Sequence, residues 1–66
     1  MTPKYPHVQV QLTGEDGSAP AIIARCRQAA MQAGISKAER DEFMRTAYSG
    51  DYQNVILTAC EWFNCT

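Results

Sequence analysis

Charge of one sign is what this chain lacks first: six Lys and Arg stand against seven Asp and Glu, a formal charge of -1. That balance removes the electrostatic case for a nucleic-acid binder, and equally for a heavily acidic DNA mimic. Long apolar runs are missing too. None approaches the roughly 20 residues that span a bilayer, so no membrane partner is expected. The opening residues, Met1-Thr2-Pro3-Lys4-Tyr5-Pro6-His7, lack the apolar stretch and small-residue cleavage site of a signal peptide. Cysteine is sparse and odd in number: Cys26, Cys60 and Cys65, with no CxxC pair. A secreted domain of this size ordinarily carries an even, denser set, so a cytoplasmic location with reduced thiols is expected. Length is short as well. Sixty-six residues bury only about 60% of the surface that their unfolded chain exposes. One small domain, residues 1–66, fits; a cofactor domain beside a substrate domain does not. The 45% hydrophobic and 20% charged content is that of a folded globular chain and excludes disorder.

What is present is an ordered set of local signals. Residues 7 to 13 alternate, with Val8, Val10 and Leu12 on one side and His7, Gln9, Gln11 and Thr13 on the other. Period two with β-branched residues predicts a half-buried strand, and Gly14-Glu15-Asp16-Gly17 predicts the turn that ends it. A helix is expected over 19–33, with Ser18 as cap and Pro20 in its first turn. Its apolar stripe is Ile22, Ile23, Cys26, Ala29, Ala30 and Ala33, and Gly34 closes it as a left-handed C-cap. Ser36-Lys37-Ala38-Glu39 has the spacing of a reciprocal capping box and opens a second helix with Phe43, Met44, Ala47 and Tyr48 as its apolar members. Ser49-Gly50 breaks that helix and Asp51 caps a third. There Tyr52, Val55, Ile56, Ala59, Cys60 and Phe63 recur at helical steps. Residues 62–66 either continue this helix or leave it as an extended tail.

The reading is α+β: one N-terminal strand followed by three α-helices. A single strand leaves its backbone groups unpaired, so a partner is required. Three partners are available: the C-terminal tail, the Lys4-Tyr5 segment, or the same strand of a second copy, which would make a twofold homodimer.

Several short patterns occur in order: Tyr5-Pro6-His7-Val8, Leu12-Thr13-Gly14-x-Asp16-Gly17, Ala33-Gly34-Ile35, Ser49-Gly50-Asp51-Tyr52 and a late Trp62. Together they resemble a family of short uncharacterised proteins encoded by bacteriophages and bacterial chromosomes, over nearly the whole chain. The chain departs from that pattern at Pro20, where the family has an aromatic residue. It departs again near Cys65 and Thr66, where a valine and a glutamate stand in the family's expected C-terminal strand. The resemblance implies a phage-related context and no established activity.

The chemistry-bearing residues do not assemble a site by spacing. Three Cys and one His could in principle complete a zinc set, but Cys26 and Cys60 lie in apolar helix stripes, where a free Cys packs as a small hydrophobe. Cys65 is expected to be an exposed thiol. Nothing in the sequence places His7 beside a Cys as a nucleophilic dyad. Glu39, Asp41 and Glu42 interleave with Lys37 and Arg40, the pattern of a solvated helix face. The Gly14–Ser18 loop precedes a helix N-terminus but lacks a lysine and carries two acids, so it reads as a turn. Lys4, Arg25 and Arg27 make at most a small basic spot. No catalytic, cofactor or metal residue is assigned.

Aromatic residues offer more. Tyr5, Phe43, Tyr48, Tyr52, Trp62 and Phe63 are six rings in a small domain, more than one core of this size is expected to seal. Tyr and Trp dominate protein–protein hot spots, and Tyr48 and Tyr52 flank the Ser49-Gly50 break. The chain is therefore expected to be a non-enzymatic interaction module that binds another protein stoichiometrically. Its expected contact residues are His7, Gln9, Gln11, Thr13, Tyr48 and Tyr52. By the resemblance, the partner would be a host or defence protein, as for small phage-encoded anti-CRISPR inhibitors. A structural homodimer or minor assembly component, and a small DNA-associated regulator, are the alternative classes.

Overall fold

The computed structural model describes residues 2–13 and 16–66. Its elements run β1 (Tyr5–Val10), α1 (Ala19–Gln32), α2 (Lys37–Ala47), α3 (Tyr52–Trp62) and β2 (Phe63–Cys65). The fold is α+β, and β1 finds its partner inside the chain: β2 lies parallel to it in a two-stranded sheet. Of the three partners that the sequence left open, the C-terminal tail is the one used. The three helices are together the crossover that a parallel pair requires.

The ladder is irregular. Tyr5 sits opposite Phe63 and Gln9 opposite Asn64, so Pro6, His7 and Val8 bow out of register. Pro6 has no N–H to give to a ladder. Regular pairing resumes beyond it, with Thr66 N–H donating to Val10 C=O and Leu12 N–H donating to Thr66 C=O, both at 2.9 Å. The strand thus begins two residues earlier and ends sooner than alternation alone predicts. Val8 and Val10 are buried as expected, and Leu12 is half-buried just past the strand's end.

Helix boundaries follow their capping chemistry. Gly34 has φ +80°, and the amides of Gly34 and Ile35 donate to the carbonyls of Met31 and Ala30. That double return is a Schellman motif, and it folds Ile35 into the core. Asp51 accepts from the Asn54 amide at 3.0 Å and starts α3. Asn54 then turns its side-chain amide back to the carbonyls of Thr46 and Ala47, satisfying the end of α2. A Cβ on Gly50 would stand 2.9 Å from Asn54 Cβ, so the junction needs glycine there. Ser18 occupies the N-cap of α1, yet its side chain makes no capping bond; its own amide donates to Asp16 Oδ1. The Gly14-Glu15 half of the expected turn lies outside the described residues.

The capping box of α2 is half-formed. Ser36 Oγ accepts from the Glu39 amide, but the Glu39 carboxylate turns toward β1. It takes bonds from Lys4 Nζ (3.2 Å) and Tyr5 Oη (3.1 Å). Lys4 Nζ also lies 4.3 Å from the centre of the Trp62 ring, a cation–π contact. Beneath it Tyr5, Phe43, Trp62 and Phe63 pack ring on ring, with centroids 5.2 to 6.3 Å apart. Four of the six aromatics thus join β1, α2, α3 and β2. The rest of the core is Val8, Val10, Ile22, Ile23, Cys26, Ala30, Ile35, Ala47, Val55 and Ala59.

Along α3 the buried face is turned from the expected one. Val55, Thr58 and Ala59 are sealed, Trp62 is half-covered, and Tyr52 and Cys60 are exposed. Thr58 takes the core position that the sequence reading gave to Cys60, and Phe63 is buried from the strand rather than from the helix.

The bonds from Lys4 and Tyr5 hold the Glu39 carboxyl below its ordinary value of 4.5. A carboxyl lowered by folding stabilises the fold above its unfolded pKa, and that contribution is lost as pH falls through the folded value. Glu39→Gln is therefore expected to melt below the wild type at pH 7. The gap should close as pH drops below about 4.5, read by thermal denaturation across pH. A gap that persists unchanged into acid would show that Glu39 acts by packing rather than by charge.

Candidate protein interface

Backbone direction decides what β1 offers. Val10 and Leu12 direct their backbone groups at β2, so the intervening Gln9 and Gln11 direct theirs to the opposite edge. There Arg25 of α1 donates from Nε to Gln11 C=O at 2.8 Å and from Nη1 to Asp16 C=O at 2.7 Å. Its third nitrogen, Nη2, is enclosed without a hydrogen-bond partner among the described residues. Arg25 therefore braces the end of the strand and the segment after it, while the Gln9 backbone forms no bond on that edge among the described residues. Between this edge and α1 runs a shallow groove of about 270 Å³. Four amide side chains, Gln9, Gln11, Gln28 and Gln32, line it beside Arg25.

The expected contact residues fall on two regions. His7, Gln9, Gln11 and Thr13 are all exposed along β1 and its continuation; His7 packs edge-on against the Tyr5 ring, and Gln11 Nε2 donates to Thr13 C=O. Tyr48 and Tyr52 are exposed at the junction of α2 and α3, 56% and 52% accessible, so neither ring belongs to the core. They differ in one respect. Tyr52 Oη donates to Gly17 C=O, tying α3 to the segment that follows the strand, whereas no bond is formed by Tyr48 Oη among the described residues. Gly17 and Asp16 are thus held from two sides, by Tyr52 and by Arg25, and this segment links the strand end to the tyrosine corner.

Arg25 is the member of the site that sequence reasoning missed. By sequence it belongs to a small basic spot outside the apolar stripe of the helix. Its partners are carbonyls 9 and 14 positions away, and a carbonyl acceptor leaves no side-chain signature. Leu57 and Met31 are also more than half exposed, on α3 and α1. No helix among the described residues is long and apolar enough to cross a membrane. Among the same residues no group of three or more His, Cys, Asp or Glu is disposed to hold a metal ion.

The two tyrosines should separate in a stability measurement. Tyr52→Phe keeps the ring and removes the bond to Gly17, and is expected to lower the unfolding free energy by about 0.5–1 kcal/mol. Tyr48→Ala removes an exposed ring and is expected to stay within about 0.5 kcal/mol of wild type. Urea titration followed by Trp62 fluorescence reads both.

Comparison with protein-family models, curated proteins and solved structures finds no match for this chain.

Proposed function

We propose that this domain is a non-enzymatic interaction module that binds an extended segment of another protein along the outer edge of β1. The observation that carries the reading is that Gln9 turns its backbone away from β2 with no partner among the described residues, beside a groove lined by amide side chains. Strand addition uses such an edge: main-chain bonds supply affinity, and side chains along the groove supply selectivity. Gln9, Gln11, Gln28 and Gln32 can each donate and accept, which suits a peptide backbone and polar side chains. The exposed Tyr48 ring at the far corner adds an aromatic anchor of the kind found at hot spots. In the phage-related context that the motifs imply, the partner is a host or defence protein.

The homodimer reading loses the argument that motivated it, because β1 already has a partner strand in β2. A second copy could still use the outer edge, and the same experiment distinguishes it.

Proline at position 9 removes an N–H that faces away from β2, a place where a sheet edge tolerates proline. Gln9→Pro is therefore expected to keep the wild-type circular dichroism and to lose a heterologous partner captured from host lysate at near-stoichiometric yield. Tyr48→Ala should reduce that yield. Capture of the partner by both variants at wild-type yield would overturn the reading. A dimer mass for the isolated protein that Gln9→Pro converts to monomer would replace it with the homodimer.

A further inference from the structure

Among the described residues that line the groove beside β1, Arg25 alone carries a charge, and carbonyls hold it. It shares one face of α1 with Gln28, Ala29 and Gln32, which stand at helical steps from it. Its guanidinium gives Nε to Gln11 C=O at 2.8 Å and Nη1 to Asp16 C=O at 2.7 Å. Both acceptors are neutral. The Asp16 carboxylate is turned to the Ser18 amide at 3.0 Å. The ion pairs among the described residues, Lys4–Glu39 and Lys37–Asp41, do not include Arg25. Nη2 is enclosed and has no partner among the same residues. That nitrogen belongs to both of the two-pronged edges that a guanidinium offers, one shared with Nε and one with Nη1. Each edge is therefore half-used by a single carbonyl, and such an edge matches the two oxygens of a carboxylate.

We propose that the segment bound along β1 carries an acidic side chain, and that Arg25 is the latch that selects it; the proposal rests on the strand-edge reading above. The incoming carboxylate takes the Nε–Nη2 edge in two bonds. Nε then leaves Gln11 C=O, which accepts instead from a backbone N–H of the incoming strand, beside the bonds made at Gln9. Asp16 C=O keeps Nη1. The exchange leaves no group unpaired, and Nη2 gains the partner it lacks. A neutral segment meets the opposite balance. To use Gln11 C=O it must displace Nε and leave a second guanidinium nitrogen without an acceptor, which costs a hydrogen bond and supplies nothing in its place.

Selection for an acid thus comes from the penalty on segments without one as much as from the ion pair. Gln9, Gln11, Gln28 and Gln32 carry no charge, so the preference is confined to the one position that meets Arg25. A side chain suits this arrangement better than a chain terminus. A terminal carboxylate at Arg25 would end the strand there and leave the released Gln11 C=O without a donor.

The test pans a random-sequence peptide library displayed on phage against the full chain, then measures the recovered peptides, made synthetically, by fluorescence anisotropy. They are expected to share an Asp or Glu at one position. Replacing that residue with Asn or Gln should weaken binding by about tenfold, the size of one charged hydrogen-bonded pair, and added salt should narrow the difference. Arg25→Gln should bind the acidic and amide peptides alike; the wild-type comparison alone decides if that variant fails to fold. Peptides without a shared acid, or an acid preference that persists in folded Arg25→Gln, would overturn the proposal. So would a Glu15→Gln variant that binds the acidic peptides about tenfold tighter than wild type, because the chain's own carboxylate would then be the one that holds Arg25. Gln9→Pro separates this proposal from the reading beneath it. Acid-free peptides that Gln9→Pro no longer binds would uphold the strand edge and overturn the latch. Acidic peptides that Gln9→Pro binds as the wild type does would overturn the strand edge, and recovery of no peptide would overturn both.

Discussion

The pairing of β1 with β2 is the constraint on which the remaining architecture depends. A lone strand cannot stand in water, and the residues that rescue it come from the far end of the described chain. Parallel alignment then dictates a long crossover, which the three helices supply. It also dictates where the aromatics go. Tyr5 faces Phe63 across the ladder, Phe43 and Trp62 pack against that pair, and Glu39 secures the whole from α2 through Lys4 and Tyr5. Sheet, ring cluster and carboxylate clamp are one mechanical unit, and α1 closes it from the other side through Ile22, Ile23, Cys26 and Ala30.

Local chemistry was readable in the sequence because its causes are local. Asp51 caps the nearest helix, Gly34 adopts the one conformation that ends α1, and Val8 and Val10 alternate into the core, all within a few residues of their signals. Features that depend on distant contacts were not readable. Glu39 has the spacing of a capping box, but charge attraction from Lys4 across the fold wins its carboxylate. Cys60 lies on a helical repeat that counts it apolar, while Thr58, polar by type, is the residue that α3 buries. The end of α3 was ambiguous because Phe63 satisfies both periods: it is buried whether the chain continues as helix or leaves as strand.

The candidate interface was legible in part. Alternation identified the exposed row from His7 to Thr13, and the Ser49-Gly50 break identified the exposed tyrosines. Which backbone edge stays open depends on which residues pair with β2, and that follows only from the register. Arg25 shows how the edge is managed. By occupying Gln11 C=O it shortens the row of free groups next to the open position at Gln9, limiting indiscriminate strand pairing.

The parallel arrangement has a mechanical meaning as well. Because β1 and β2 run in the same direction, the start of the first strand and the end of the second lie at opposite ends of the ladder. Tension applied through the two flanks would load the hydrogen bonds in shear, all together, instead of unzipping them one at a time. Fused between two larger bodies, so small a domain would yield abruptly at a threshold force, with the bowed segment at Pro6–Val8 as the slack taken up first.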